Sequence, residues 1–219
     1  MKQFRMVGAD AVAELDDEER LVVARIVADV ALLLGADAFG EGYDDPAPER
    51  DDVDSLFEYL RGFEESIREP SDPAILRLLP NAAPTDREVA NEFRRFTDGE
   101  LRATKTKRLR RIWDQLSSDV TSRNSDEWIV PADELLATAA ALTDIRLVLA
   151  SRLELVSDDD ADQLHLEIDL ATQALESDDE NAVPVDHERV WLGMLYQALT
   201  WLQGSLVDCM AGTSEETDV

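Results

Sequence analysis

The chain has 219 residues, 49 of them acidic and 21 basic, for a formal charge of −28 near neutral pH. That length suits one large domain or two small ones, and 44% hydrophobic residues exclude a disordered acidic tail. The single cysteine, Cys209, excludes an intrachain disulfide and fits a reducing cytoplasm. So strong an acidity repels nucleic acid and anionic membrane unless positive charge is locally concentrated.

Residues 1–12, MKQFRMVGADAV, lack the apolar stretch of a secretory signal. The longest uncharged apolar run, Leu135 to Thr143, is far too short to span a bilayer. A cytoplasmic protein with no membrane contact is expected. In chain order, residues 1–15 read as a small hairpin turning at Gly8-Ala9-Asp10. A first helix over 16–35 follows, capped by Asp16 or Asp17, with Val23, Ile26, Val27 and Val30 on its apolar face. Gly35 is placed to end it in the left-handed conformation. Residues 36–52 mix Gly, Pro and acids without period, the composition of a linker.

The remaining helices occupy 53–211. Asp52 or Asp54 starts one that ends near Glu69-Pro70, and Pro73 opens a short one that Pro80 closes. Thr85–Glu88 and Thr97–Glu100 both have the form of a capping box. They predict a short helix ending near Phe96 and a second from 98 to about 117. Glu127–Pro131 is a single strand or an extended lead-in to a helix running to about Leu155. Another helix covers about 160–176. Asp186 caps a last one, 187–210, which is apolar on most sides and therefore central or at an interface. The acidic residues 212–219 are expected to be a disordered tail. The fold class is mainly α, a single domain of about seven helices with a small N-terminal hairpin.

Catalytic signatures are absent, and no enzyme activity or cofactor is expected. His165 and Asp169 share a helical face at i, i+4, which opens a small metal-binding protein as an alternative. Cys209 is the candidate redox residue; it follows Asp208 near a helix C-terminus, where both the acid and the dipole push a thiol pKa upward. Trp191, Leu195, Trp201 and Leu202 make the last helix the candidate dimer interface.

The exception to the acidity is EFRRFTDGELRATKTKRLRRI, residues 92–112, where eight Arg or Lys face three acids. On a helix from 98, Leu101, Leu109, Ile112, Trp113 and Leu116 gather on one side. Lys107, Arg110 and Arg111 fall opposite, flanked by Arg102 and Arg108. The five cations are the candidate partner-binding or DNA-binding residues. Like charges at these spacings cost a few tenths of a kcal/mol each, so an acidic counterpart is expected. It is either this fold's own carboxylates or another macromolecule. Direct DNA binding is weak alone, because no aromatic residues interleave and the rest of the chain carries about −33.

The blocks DPAILRLLPNA, EFRRFTDGELRATK, LTDIRLVLASRLEL and LTWLQGSLV, in this order between residues 72 and 207, resemble an actinobacterial family of unknown-function proteins, and the likeness extends over roughly 1–210. That family includes the actinomycete oxidative-stress regulators (AosR-like). The resemblance implies a cytosolic transcriptional regulator that works with a sigma factor or RNA polymerase under oxidative stress. Family genes beside a Clp protease adaptor imply the alternative of an adaptor linked to proteolysis. The redox-sensing form uses a Cys-x-x-x-Cys pair, and here Ser205 and Thr213 stand at the two possible partner positions of Cys209. That route to a disulfide is closed in this chain.

Overall fold

The computed structural model describes residues 1–39, 70–117, 126–176 and 186–215. The expected helix over 53–69 lies outside the described residues, as does most of the expected linker. Strands β1 (Lys2–Val7) and β2 (Asp10–Glu14) form the expected hairpin. Gly8 turns it at φ 68°, a left-handed backbone that favours a residue without Cβ. A third strand, β3 (Glu127–Val130), pairs antiparallel with β2, Ala13 opposite Trp128, so the order is β1-β2-β3. The hairpin reading is extended to a three-stranded sheet, and Glu127–Val130 is a strand in its own right.

Helix α1 (Asp17–Leu33) starts at a reciprocal capping box: Glu19 N–H donates to Asp16 Oδ1 at 2.8 Å, and Asp16 N–H to Glu19 Oε2 at 3.0 Å. Beyond its end Gly35 takes φ 86°. The buried stripe of α1, Val23, Val27 and Val30, packs mainly on α3 (Arg87–Ser117). The short α2 (Pro73–Leu78) is capped by Asp72, which accepts from Ala74 N–H at 2.8 Å and holds Arg152 through both carboxylate oxygens.

The expected break near 97 does not occur. Residues 87–117 are one helix of 31 residues, begun by Asp86, whose Oδ1 accepts from Glu88 and Val89 N–H. Thr97 donates its hydroxyl back to Phe93 O at 3.0 Å, a bond available only inside a helix. Packing carries the backbone through: Ala90 and Arg94 are buried before the predicted boundary, and Asp98, Leu109, Ile112 and Leu116 after it. A capping-box sequence is permissive for a helix start, and burial on both sides overrides it.

A single 3-10 turn (Ala132–Glu134) leads into α4 (Leu135–Arg152), which crosses the core with Leu142, Ile145 and Leu149 buried. Helix α5 (Asp158–Glu176) leans on α6 (His187–Glu215) through Leu164 and Ile168. Their methyl groups come so near Gly193 that an added Cβ would stand 2.9 Å from both. Asp186 caps α6, accepting from Arg189 N–H at 3.1 Å. Helix α6 runs to Glu215, so the part of the expected tail from 212 to 215 is helical instead. It also covers the outer edge of β1, where Phe4 N–H donates to Ser205 Oγ at 2.9 Å. The described residues thus form six helices around a small sheet, a mainly α fold.

Candidate docking surface on the long helix

The inner face of α3 is tied down along its length. Arg20 of α1, itself buried, donates to Leu116 O at 3.4 Å at the helix end and to Glu127 O at 2.9 Å at the start of β3. Lys105 turns inward, and its ammonium meets Asp144 Oδ1 of α4 at 2.5 Å with little of either side chain exposed. Leu101, expected on the core side, is instead 39% exposed. Leu109, Ile112 and Leu116 do fill the core, with Trp113 partly buried beside them.

The five sequence-selected cations separate into anchored and outward ones. Arg102 donates to Leu34 O at 3.0 Å, placing its charge at the negative end of the α1 dipole. Arg110 lies over the ring of Phe39, 4.1 Å from its centroid, a cation–π contact. Arg111 pairs with Glu134 Oε1 at 2.9 Å yet remains 62% exposed. Lys107 is exposed and Arg108 half-buried, and neither has an ion pair among the described residues. Between the end of α1 and this helix runs an open groove of about 670 Å³, lined on its α3 side by Arg102, Lys107, Arg110 and Asp114.

Asp98 sits one turn before Arg102 on the buried side, and its Oδ2 has no hydrogen-bond partner. Burial pushes its carboxyl pKa up, against the opposing pull of Arg102 and Arg94. The folded pKa therefore lies above the unfolded one. This group favours the fold most below the unfolded pKa, and that contribution disappears as pH rises through the folded pKa. Asp98→Asn is expected to raise stability by about 1 kcal/mol at neutral pH, with the gain shrinking as the medium is acidified. Thermal melts of both proteins from pH 7 down to pH 4 check the sign.

The remaining candidates are dispersed. Leu195 and Leu202 fill the core of their own chain and are removed from the expected dimer interface. Trp191 and Trp201 stand about half exposed, at 51% and 49%, with Met194 between them. Helical period explains Trp201, which lies about 100° from Leu202 and off the stripe that meets α4; Trp191 is one turn before Leu195 on the same side, near the start of the helix, and is left half exposed there. His165 Nδ1 lies 2.7 Å from Gln197 Nε2, an interhelical contact rather than a metal pairing with Asp169. No group of three His, Cys, Asp or Glu able to hold a metal occurs among the described residues. Cys209 is half-buried beside Asp208, on a cavity of about 400 Å³ shared with Phe4, Met6 and Ser205. Burial first, and Asp208 second, push its thiol pKa up, away from the reactive thiolate.

Sequence reasoning missed Val89, Phe93 and Phe96, which stand on the outer face of α3 at 52%, 48% and 76% exposure. Their i, i+4, i+7 spacing has the signature of a buried stripe, and only the packing of Ala90 and Arg94 shows that the core lies on the other side. No helix among the described residues is long and apolar enough to cross a membrane. Comparison with curated proteins finds no match, nor does comparison with solved structures. A family model described as a domain of unknown function, DUF2017, matches residues 1–210, and the chain belongs to that family.

Proposed function

We propose that this DUF2017 chain is a non-enzymatic cytosolic regulator that acts by binding another protein. An acidic surface of the partner meets Lys107, Arg108, Arg110 and Arg111 of α3. The observation that carries the reading is the outward basic face itself. In a chain of charge −28, four cations are kept together on one helix; Lys107 and Arg111 are exposed, and Lys107 and Arg108 have no ion pair among the described residues. Such a patch speeds encounter with an acidic partner and suppresses wrong ones. In the role the sequence resemblance suggests, the partner is a sigma factor or RNA polymerase under oxidative stress, and Trp191 and Trp201 hold a homodimer together.

Sensing by Cys209 is not part of this proposal, since it is the single cysteine of the sequence, half-buried and beside an acid. DNA contact, if made, depends on the partner, because the surrounding negative charge opposes phosphate.

The test is recovery of a partner from native cytosol by the wild-type chain and by Lys107→Glu/Arg110→Glu/Arg111→Glu, with circular dichroism confirming that the variant is folded. Loss of a specific co-purifying protein from the variant, by tenfold or more, is expected. An unchanged set of co-purifying proteins would reject the basic face as the docking site. Mobility shift of promoter DNA by the pure protein across a salt series is expected to show no complex at moderate salt. A complex that persists there would move the assignment to nucleic acid.

A further inference from the structure

The continuity of α3 has a consequence for what can dock on it. With steps of about 100° per residue, Val89, Phe93, Phe96, Lys107 and Arg111 fall within one arc of about 60° on a single uninterrupted helix. The first three are exposed and apolar, and the last two are exposed and cationic. At a rise of about 1.5 Å per residue, Phe96 and Lys107 are about 17 Å apart along the axis. Glu100 stands between the two halves on the same arc.

We propose that the partner engages this strip through an acidic amphipathic helix, its apolar end covering Val89, Phe93 and Phe96 and its carboxylates meeting Lys107 and Arg111. The inference rests on the protein-docking reading above and gives its partner a chemistry. Two features select that occupant. Exposed aromatic side chains at helical spacing form the kind of surface into which an amphipathic helix lays its apolar face. The cations in line with them require carboxylates on the same face of the incoming helix, placed beyond Glu100, which repels acids set closer to the apolar end. Nucleic acid gains nothing from the apolar half. A second copy of this chain is assigned above to Trp191 and Trp201, and at this strip it would bring its own α3 cations together with a net charge of −28 rather than a matched row of carboxylates.

The probe is a fluorescein-labelled synthetic helical peptide. It has three leucines at the spacing of 89, 93 and 96 and two glutamates about three turns further on the same face, made in both chain directions. Anisotropy with the full-length protein is expected to show saturable binding for one direction. Phe93→Ser/Phe96→Ser and Lys107→Glu/Arg111→Glu should each weaken it tenfold or more. A peptide whose glutamates are displaced by two residues, about 200° round its helix, should bind no better than the weaker variant. Gly99→Ala, where an added Cβ meets nothing within 4 Å, keeps α3 continuous and should leave binding unchanged.

Binding lost only in the charge variant overturns the bipartite strip while leaving the docking reading standing. Absence of saturable binding in both directions, with a native partner still released by the charge reversal, also overturns the strip alone. Mass that rises with protein concentration in sedimentation, and falls in Phe93→Ser/Phe96→Ser, assigns the strip to a second copy and overturns the proposed occupant.

Discussion

Lys105→Met is expected to cost the fold about 3 kcal/mol, because a buried carboxylate that loses its only cation is left charged in a poor solvent for charge. The Lys105 ammonium and Asp144 Oδ1 meet at 2.5 Å between α3 and α4, with side-chain exposures of 17% and 5%. The second oxygen, Asp144 Oδ2, is buried with no hydrogen-bond partner among the described residues, so none of them besides Lys105 compensates the charge. The pair itself contributes little net stability, since desolvating both groups offsets most of their attraction. Two different outcomes follow for the single and the double change. Lys105→Met alone should lower the midpoint of a urea transition sharply. Lys105→Met/Asp144→Leu should recover most of the loss, because it removes both charges and fills the space. A double variant as unstable as the single one would show that the pair contributes more than charge balance.

The second large effect lies at Trp128. Its indole is fully buried, packs at 5.2 Å centroid separation against Phe4, and donates from Nε1 to Gln115 Oε1 at 2.8 Å. Trp128→Ala removes the largest side chain of the sheet's inner face, and core truncations of this size cost about 3–5 kcal/mol. Trp128→Phe keeps a ring and removes the Nε1–H to Gln115 hydrogen bond, for an expected cost of about 1–2 kcal/mol. Denaturant midpoints order the three proteins. The consequences reach the outer surface, because Gln115 Nε2 donates to Glu134 Oε2 at 2.7 Å and Glu134 in turn pairs with Arg111. A relaxed Gln115 loosens the carboxylate that positions one of the docking cations. Trp128→Phe should therefore weaken partner binding while the fold survives, a coupling that binding measurements on the variant detect.

Much of the architecture was legible residue by residue. Gly8 and Gly35 stand where a left-handed backbone is needed, and both adopt it. Asp16 and Asp186 cap the helices they precede. These are local effects: a side-chain oxygen one to three residues from an orphan N–H, or a missing Cβ at a positive φ, acts whatever the rest of the chain does. The basic character of α3 was also legible, since charge is a property of composition.

What local chemistry could not decide was which of two permitted outcomes the rest of the molecule selects. Thr97-Asp98-Gly99-Glu100 can begin a helix or lie inside one, and burial of Asp98 between Arg94 and Leu109 on one face chose the second. Lys105 and Lys107 are two residues apart and chemically alike. One is drawn into the core by Asp144, thirty-nine positions away, and the other remains in water. Leu195 and Trp191 were equally apolar candidates for an interface until α4 covered the first and left the second half exposed. Composition, spacing and caps thus determined the acidic helical fold and the presence of a basic helix. Long-range packing alone decided that the helix is unbroken, which of its charges face outward, and that an exposed apolar stripe lies in line with them. Burial is set by neighbours remote in sequence, and no local pattern encodes which neighbour arrives.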